Sequence, residues 1–123
     1  MKDYSKMINS IGEAVNEPHL LEDIQNACRN KQAFCFGDDN TRVVLKKQKR
    51  DGVTFILVWL GLSTSSGALE KFNPIVAEFT RQAGGEWFEF CTVRRGFIRV
   101  AGKLGFERLP DDDKGRMWFK RMV

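Results

Sequence analysis

Residues that carry chemistry are scarce in this chain of 123 residues, which has one histidine, three cysteines and one tyrosine. The single histidine, His19, follows Pro18 at a helix start with no adjacent acid or nucleophile. It supplies neither a zinc ligand set nor a recognisable base. Cys28, Cys35 and Cys91 are odd in number and form no C-x-x-C pair, so they read as buried, reduced thiols rather than a disulfide frame or metal site. No apolar run reaches membrane-spanning length, and the longest, residues 53–60, is the length of a strand. The first six residues lack the apolar core of a signal peptide, so a cytoplasmic location is expected. Repeats, low-complexity segments and interdomain linkers are also missing, which predicts one domain over residues 1–123. The net charge is only +4. Its densest basic cluster, Lys46-Lys47-Gln48-Lys49-Arg50, precedes Asp51-Gly52 and reads as a solvated hairpin tip, so a nucleic-acid partner is not expected. Asp111-Asp112-Asp113 do not space their carboxylates as hard-cation loops do, and they read as a solvated turn.

What is present is an ordered alternation of elements. Residues 4–16 show weak helical periodicity through Met7, Ile8, Ile11 and Val15. Residues 19–32 show it better, with Leu20, Leu21, Ile24, Ala27 and Cys28 on one face. Short strands follow at residues 33–36 and 41–47. Residues 53–60 are nearly all apolar, as befits a central strand covered on both faces. After the small-residue loop from Gly61 to Gly67, Asn73-Pro74 offers an N-cap and first position for a helix, with Ala68, Leu69 and Phe72 as an earlier turn. Gly84-Gly85 stops it. A strand at 87–93, a helix at 97–104 and a hairpin of 107–109 with 116–122 complete the chain. The order predicts an α/β fold: a mixed sheet with helices on both faces, an antiparallel meander leading into strand–helix–strand crossovers.

The segment Arg94-Arg95-Gly96-Phe97-Ile98-Arg99-Val100-Ala101-Gly102-Lys103-Leu104-Gly105-Phe106 places arginines where a strand turns into a helix, a corner suited to phosphate. Preceded by Ala77-Glu78-Phe79-Thr80-Arg81-Gln82-Ala83-Gly84 and by Leu57-Val58-Trp59-Leu60-Gly61, it resembles the GNAT (acyl-coenzyme A N-acyltransferase) superfamily. In particular it is similar to small GNAT-like proteins of bacteriophages and prophages. The resemblance runs from about residue 19 to residue 108. It implies a three-layer fold with a mostly antiparallel central sheet and a V-shaped strand gap that binds acetyl-CoA. It places cofactor contacts at Leu60, Gly61, Leu62, Ser63, Ser66, Gly67, Ala68, Arg95 and Arg99. Of the family's pyrophosphate pattern only Ala68 matches, although the small residues from Ser63 to Ala68 still allow close backbone approach. The family's tyrosine, which protonates the leaving thiolate, is replaced by Ala101. No catalytic residue is assigned; Glu86, Glu89, Cys91 and Thr92 lie on the strand concerned. Two activities stay open: acetyl transfer to an amine substrate, and a noncatalytic scaffold for a virion or host protein. The sequence does not fix the oligomeric state.

Overall fold

The computed structural model describes residues 4–38, 40–63 and 67–123. Helices α1 (Ser5–Ala14) and α2 (Leu20–Arg29) precede strands β1 (Ala33–Asp38), β2 (Thr41–Arg50) and β3 (Val53–Ser63). Then come α3 (Ala68–Gln82), β4 (Trp87–Thr92), α4 (Phe97–Lys103), β5 (Glu107–Leu109) and β6 (Met117–Met122). The strands form one sheet in the order β1-β2-β3-β4-β6-β5. Every neighbouring pair is antiparallel except β3 with β4. The mixed, mostly antiparallel sheet expected from the sequence is therefore what forms.

Strand alternation divides the interior in two. Val43 and Leu45 of β2, Ile56 of β3, and Phe88 and Phe90 of β4 face α3 and α4, against Phe72, Val76, Ala77 and Ala101. Val44, Leu60 and Leu62 face α1 and α2, against Ile8, Leu20, Ile24 and Ala27. A bulge makes the change on β3. Val44 pairs with Leu60 and Leu45 with Val58, leaving Trp59 unopposed. Ile56 and Val58 belong to the α3 side, whereas Leu60 and Leu62, in the same parity, belong to the α1–α2 side. One extra residue turns the strand over and bends it.

Two expectations need correction. Helix α3 begins at Ala68, behind Gly67 at φ 75, and Pro74 lies inside it rather than at its first position. Proline removes one interior N–H bond, which the packing of Phe72, Val76 and Ala77 outweighs. The cysteines are not all buried: Cys35 is exposed, and Cys28 and Cys91 are half-buried. The basic run at 46–50 is, as expected, an exposed strand end at a hairpin tip, and two of its cations lie over aromatic rings, Lys46 over Trp59 and Arg50 over Phe55. The turn itself is as expected, with Asp51 and Gly52 both at positive φ (54 and 80) in a two-residue hairpin.

Candidate functional site

The parallel ladder between β3 and β4 has two rungs, Ile56–Phe88 and Leu57–Glu89. Beyond it the bulge carries β3 away, while β4 continues alongside β6 as far as Thr92. Residues 58–62, about 17 Å of strand, thus present one backbone edge to an open wedge. Because β3 and β4 are parallel, α3 and α4 both start at the same end of the wedge, the carboxyl end where α/β sheets hold ligands.

The sequence-derived contacts distribute as follows. Leu60 and Leu62 bury their side chains toward α1 and α2, so they offer the wedge only backbone. Gly61 is exposed between them. Ser63 lies 3.1 Å, Oγ to Oγ1, from Thr41. Ser66 falls outside the described residues. Gly67 takes the left-handed conformation that turns the chain into α3, and Ala68 is the first residue of that helix. Gly67, the residue that caps α3, has no side chain to offer its leading N–H groups. Glu70 in the first turn works against an anion there. Lys71 is committed to Asp38, Nζ to Oδ2 2.6 Å, and its hydrogen bond holds that carboxyl below the usual range. At the other wall, Thr92 Oγ1 accepts the Arg94 N–H at 3.1 Å and shapes the basic turn. Arg95 and Arg99 are exposed, and neither forms an ion pair within the described residues. Ala101 is completely buried in the core beneath α4.

Two charged clusters that sequence reasoning missed line the opposite face of β4, which carries Trp87, Glu89 and Cys91. Glu89 is 1% exposed. Arg50 donates to both its oxygens at 2.9 and 3.1 Å, and Trp87 Nε1 donates to Oε1 at 2.8 Å. The Arg50 guanidinium rests on Phe55, whose ring stacks on Trp87 at 4.9 Å. The carboxylate is a locked structural anion, not a free base. A glutamate between Phe88 and Phe90 was the available signal, since a charge inside a buried strand must be paired.

The second cluster joins the α1–α2 turn to the β5–β6 loop. Glu17 Oε1 accepts from Lys114 Nζ at 3.1 Å and Arg116 Nη1 at 2.9 Å. Asp112 accepts from Arg116 Nε (2.6 Å), Trp118 Nε1 (2.8 Å) and the backbone N–H groups of Lys114 and Arg116 (both 2.9 Å). Asp112 therefore organises its loop rather than sitting as a solvated turn residue. This latch lies on the face of β4 that carries Cys91, where Arg116, Asp112 and Glu17 all act on the thiol. Burial pushes the Cys91 thiol up, with Arg116 pulling the other way, so it stays protonated near neutrality.

The latch carries a pH dependence. Hydrogen bonding from Lys114 lowers the Glu17 carboxyl; at Asp112, burial opposes ionisation, but the donors from Trp118, Arg116 and Lys114 outweigh it. Groups depressed in the folded state stabilise it above their unfolded pKa, about 4, and that contribution is lost as pH falls further. Urea unfolding is expected to show stability that is flat from pH about 5 to 7 and declines below about 4. Arg116→Met should have a shallower decline; equal slopes would remove the latch as its source.

No family model matches the chain, and no curated protein matches it in sequence. Its fold recurs in solved structures. A Bacillus subtilis acetyltransferase in complex with CoA superposes with a TM-score of 0.64 at 11% identity, over 100% of this chain and 95% of that one. The PaiA N-acetyltransferase of Thermoplasma acidophilum, in complex with coenzyme A, gives 0.58 at 16% identity over 100% and 81%. An N-acetyltransferase from Staphylococcus aureus Mu50 gives 0.53 at 14% identity over 68% of this chain, which spans 60% of that protein's length. With the wedge, the bulge and the strand order β1-β2-β3-β4-β6-β5, the chain has the fold of the GNAT acetyltransferases.

Proposed function

We propose that this protein is an acetyl-CoA-dependent N-acetyltransferase acting on an amine. The observation that carries this reading is the two-rung β3–β4 ladder that opens at the Trp59 bulge, with both helix starts at its mouth. The residues present fit the cofactor. The edge of 58–62 that faces the wedge can pair with an amide-bearing arm. Gly67 lets the backbone at the start of α3 approach a phosphate, and the uncommitted Arg95 and Arg99 supply charge. The cofactor supplies the acyl thioester as electrophile. The chain positions it between β3 and β4. Glu89 is engaged by Arg50, and Ala101 offers no proton, so neither of these two residues protonates a thiolate. Rate would come from positioning an already neutral amine.

Calorimetry with coenzyme A tests this directly. Arg95→Glu with Arg99→Glu is expected to weaken binding at least about tenfold, through lost charge-assisted contacts, without changing thermal stability. No heat from the wild-type protein at millimolar coenzyme A would overturn the proposal.

The buried Ala101 favours a second reading, a phage-encoded scaffold that keeps the fold and binds a host or virion protein without catalysis. Coenzyme A binding with measurable acetyl transfer to any amine in a broad panel would sink it. Stable co-purification with one such protein, without transfer, would support it.

A further inference from the structure

Among the described residues, strand β1 forms an outer edge of the sheet and pairs only with β2. Such an edge exposes a row of N–H and C=O groups, and proteins blunt it with charge, proline or a bulge. Residues 33–37, Ala-Phe-Cys-Phe-Gly, contain no charge and no proline, and their register against β2 is unbroken. The flank beside them is apolar. Phe34 is 49% exposed although its ring packs on Phe79 at 5.4 Å, and Ile75 is 48% exposed. A groove of about 450 Å³, lined by Pro74, Ile75, Glu78, Phe79 and Gln82, continues the patch along α3.

We propose that this edge is a homodimer interface, in which β1 of a second copy adds antiparallel across a two-fold axis and the two sheets become one. The strand is complementary to itself. Lys31 precedes it and Asp38, which also holds Lys71, ends it, so antiparallel pairing brings Lys31 of each copy toward Asp38 of the other. An axis through Cys35 places Phe34 of each copy opposite Phe36 of the other. Phe36 already packs on Phe72, so the aromatic row over α3 runs on across the axis. Each exposed Phe34 then reaches the apolar flank of the other α3. The same axis sets the two Cys35 residues opposite each other, at the Cα separation of about 4.5–5.5 Å that a disulfide spans.

Sedimentation equilibrium at micromolar concentration is expected to give twice the chain mass. Mild oxidation should trap that dimer as a disulfide that is lost in Cys35→Ser and kept in Cys28→Ser. Phe34→Glu should raise the dimer dissociation constant at least about 30-fold. A wild-type monomer throughout, a Phe34→Glu dimer of unchanged affinity, or a cross-link that survives Cys35→Ser would each overturn the proposal. Cross-linking of the wild-type protein decides the matter even if Phe34→Glu does not fold.

Discussion

Arg50→Ala is expected to destabilise the protein by about 3 kcal/mol, a fall in Tm of roughly 10 °C for a domain of this size. The cost arises at Glu89 rather than at Arg50. The arginine side chain is 50% exposed and would be hydrated in the absence of its partner, whereas the Glu89 side chain is 2% exposed. Removing the guanidinium strands a carboxylate between β3 and β6 with Trp87 Nε1 as its remaining donor. The double variant Arg50→Ala/Glu89→Gln should recover most of the loss, because glutamine removes the buried charge and still accepts from Trp87. Chemical denaturation of the three proteins checks this. A single variant within about 0.5 kcal/mol of wild type would mean that the pair contributes no more than a surface contact.

Gly12→Ala is the second large effect, and local propensity gives it the wrong sign. In an isolated helix the change would stabilise by about 1 kcal/mol. In this fold a Cβ at position 12 would lie 2.5 Å from the Glu17 carbonyl oxygen and 3.1 Å from Leu20 Cβ. The obstacle is backbone, and it is tied back to the same residue by the Glu17 N–H bond to the Gly12 oxygen, 2.7 Å. We expect a net loss of about 2 kcal/mol from overpacking. Because the displaced turn carries Glu17, the latch to Lys114 and Arg116 should loosen too. Faster hydrogen exchange at the β5–β6 loop, far along the chain from the substitution, would report this. A stabilised Gly12→Ala protein would show that α1 tilts freely and that the latch is not held through this contact.

The elements legible in the sequence are those with a local cause. Leu20, Ile24 and Ala27 show α2 by their spacing, the apolar run at 53–60 shows β3, and Asp51-Gly52 marks its turn. The start of α3 is hard to read because Pro74 is a strong local signal for a helix start that tertiary packing overrides. The bulge at Trp59 has no local marker, neither glycine nor proline. It shows only when β2 is laid beside β3. The site divides in the same way. The arginine turn at 94–99 can be read from consecutive residues. Arg50 with Glu89 and Glu17 with Arg116 lie 39 and 99 positions apart. Nothing along the chain connects them until the sheet order does.

The Trp59 bulge makes β3 two half-strands with different allegiances. Before it, the even-numbered side chains Ile56 and Val58 answer to α3; after it, Leu60 and Leu62 answer to α1 and α2, and only the second half borders the wedge. Changes at Phe72, Val76 or Ile56 therefore act on stability with little purchase on the ligand edge. Leu60 and Leu62 are the levers by which the distant pair α1–α2 sets the width of the opening, so tuning of affinity can come from residues whose side chains never face a ligand.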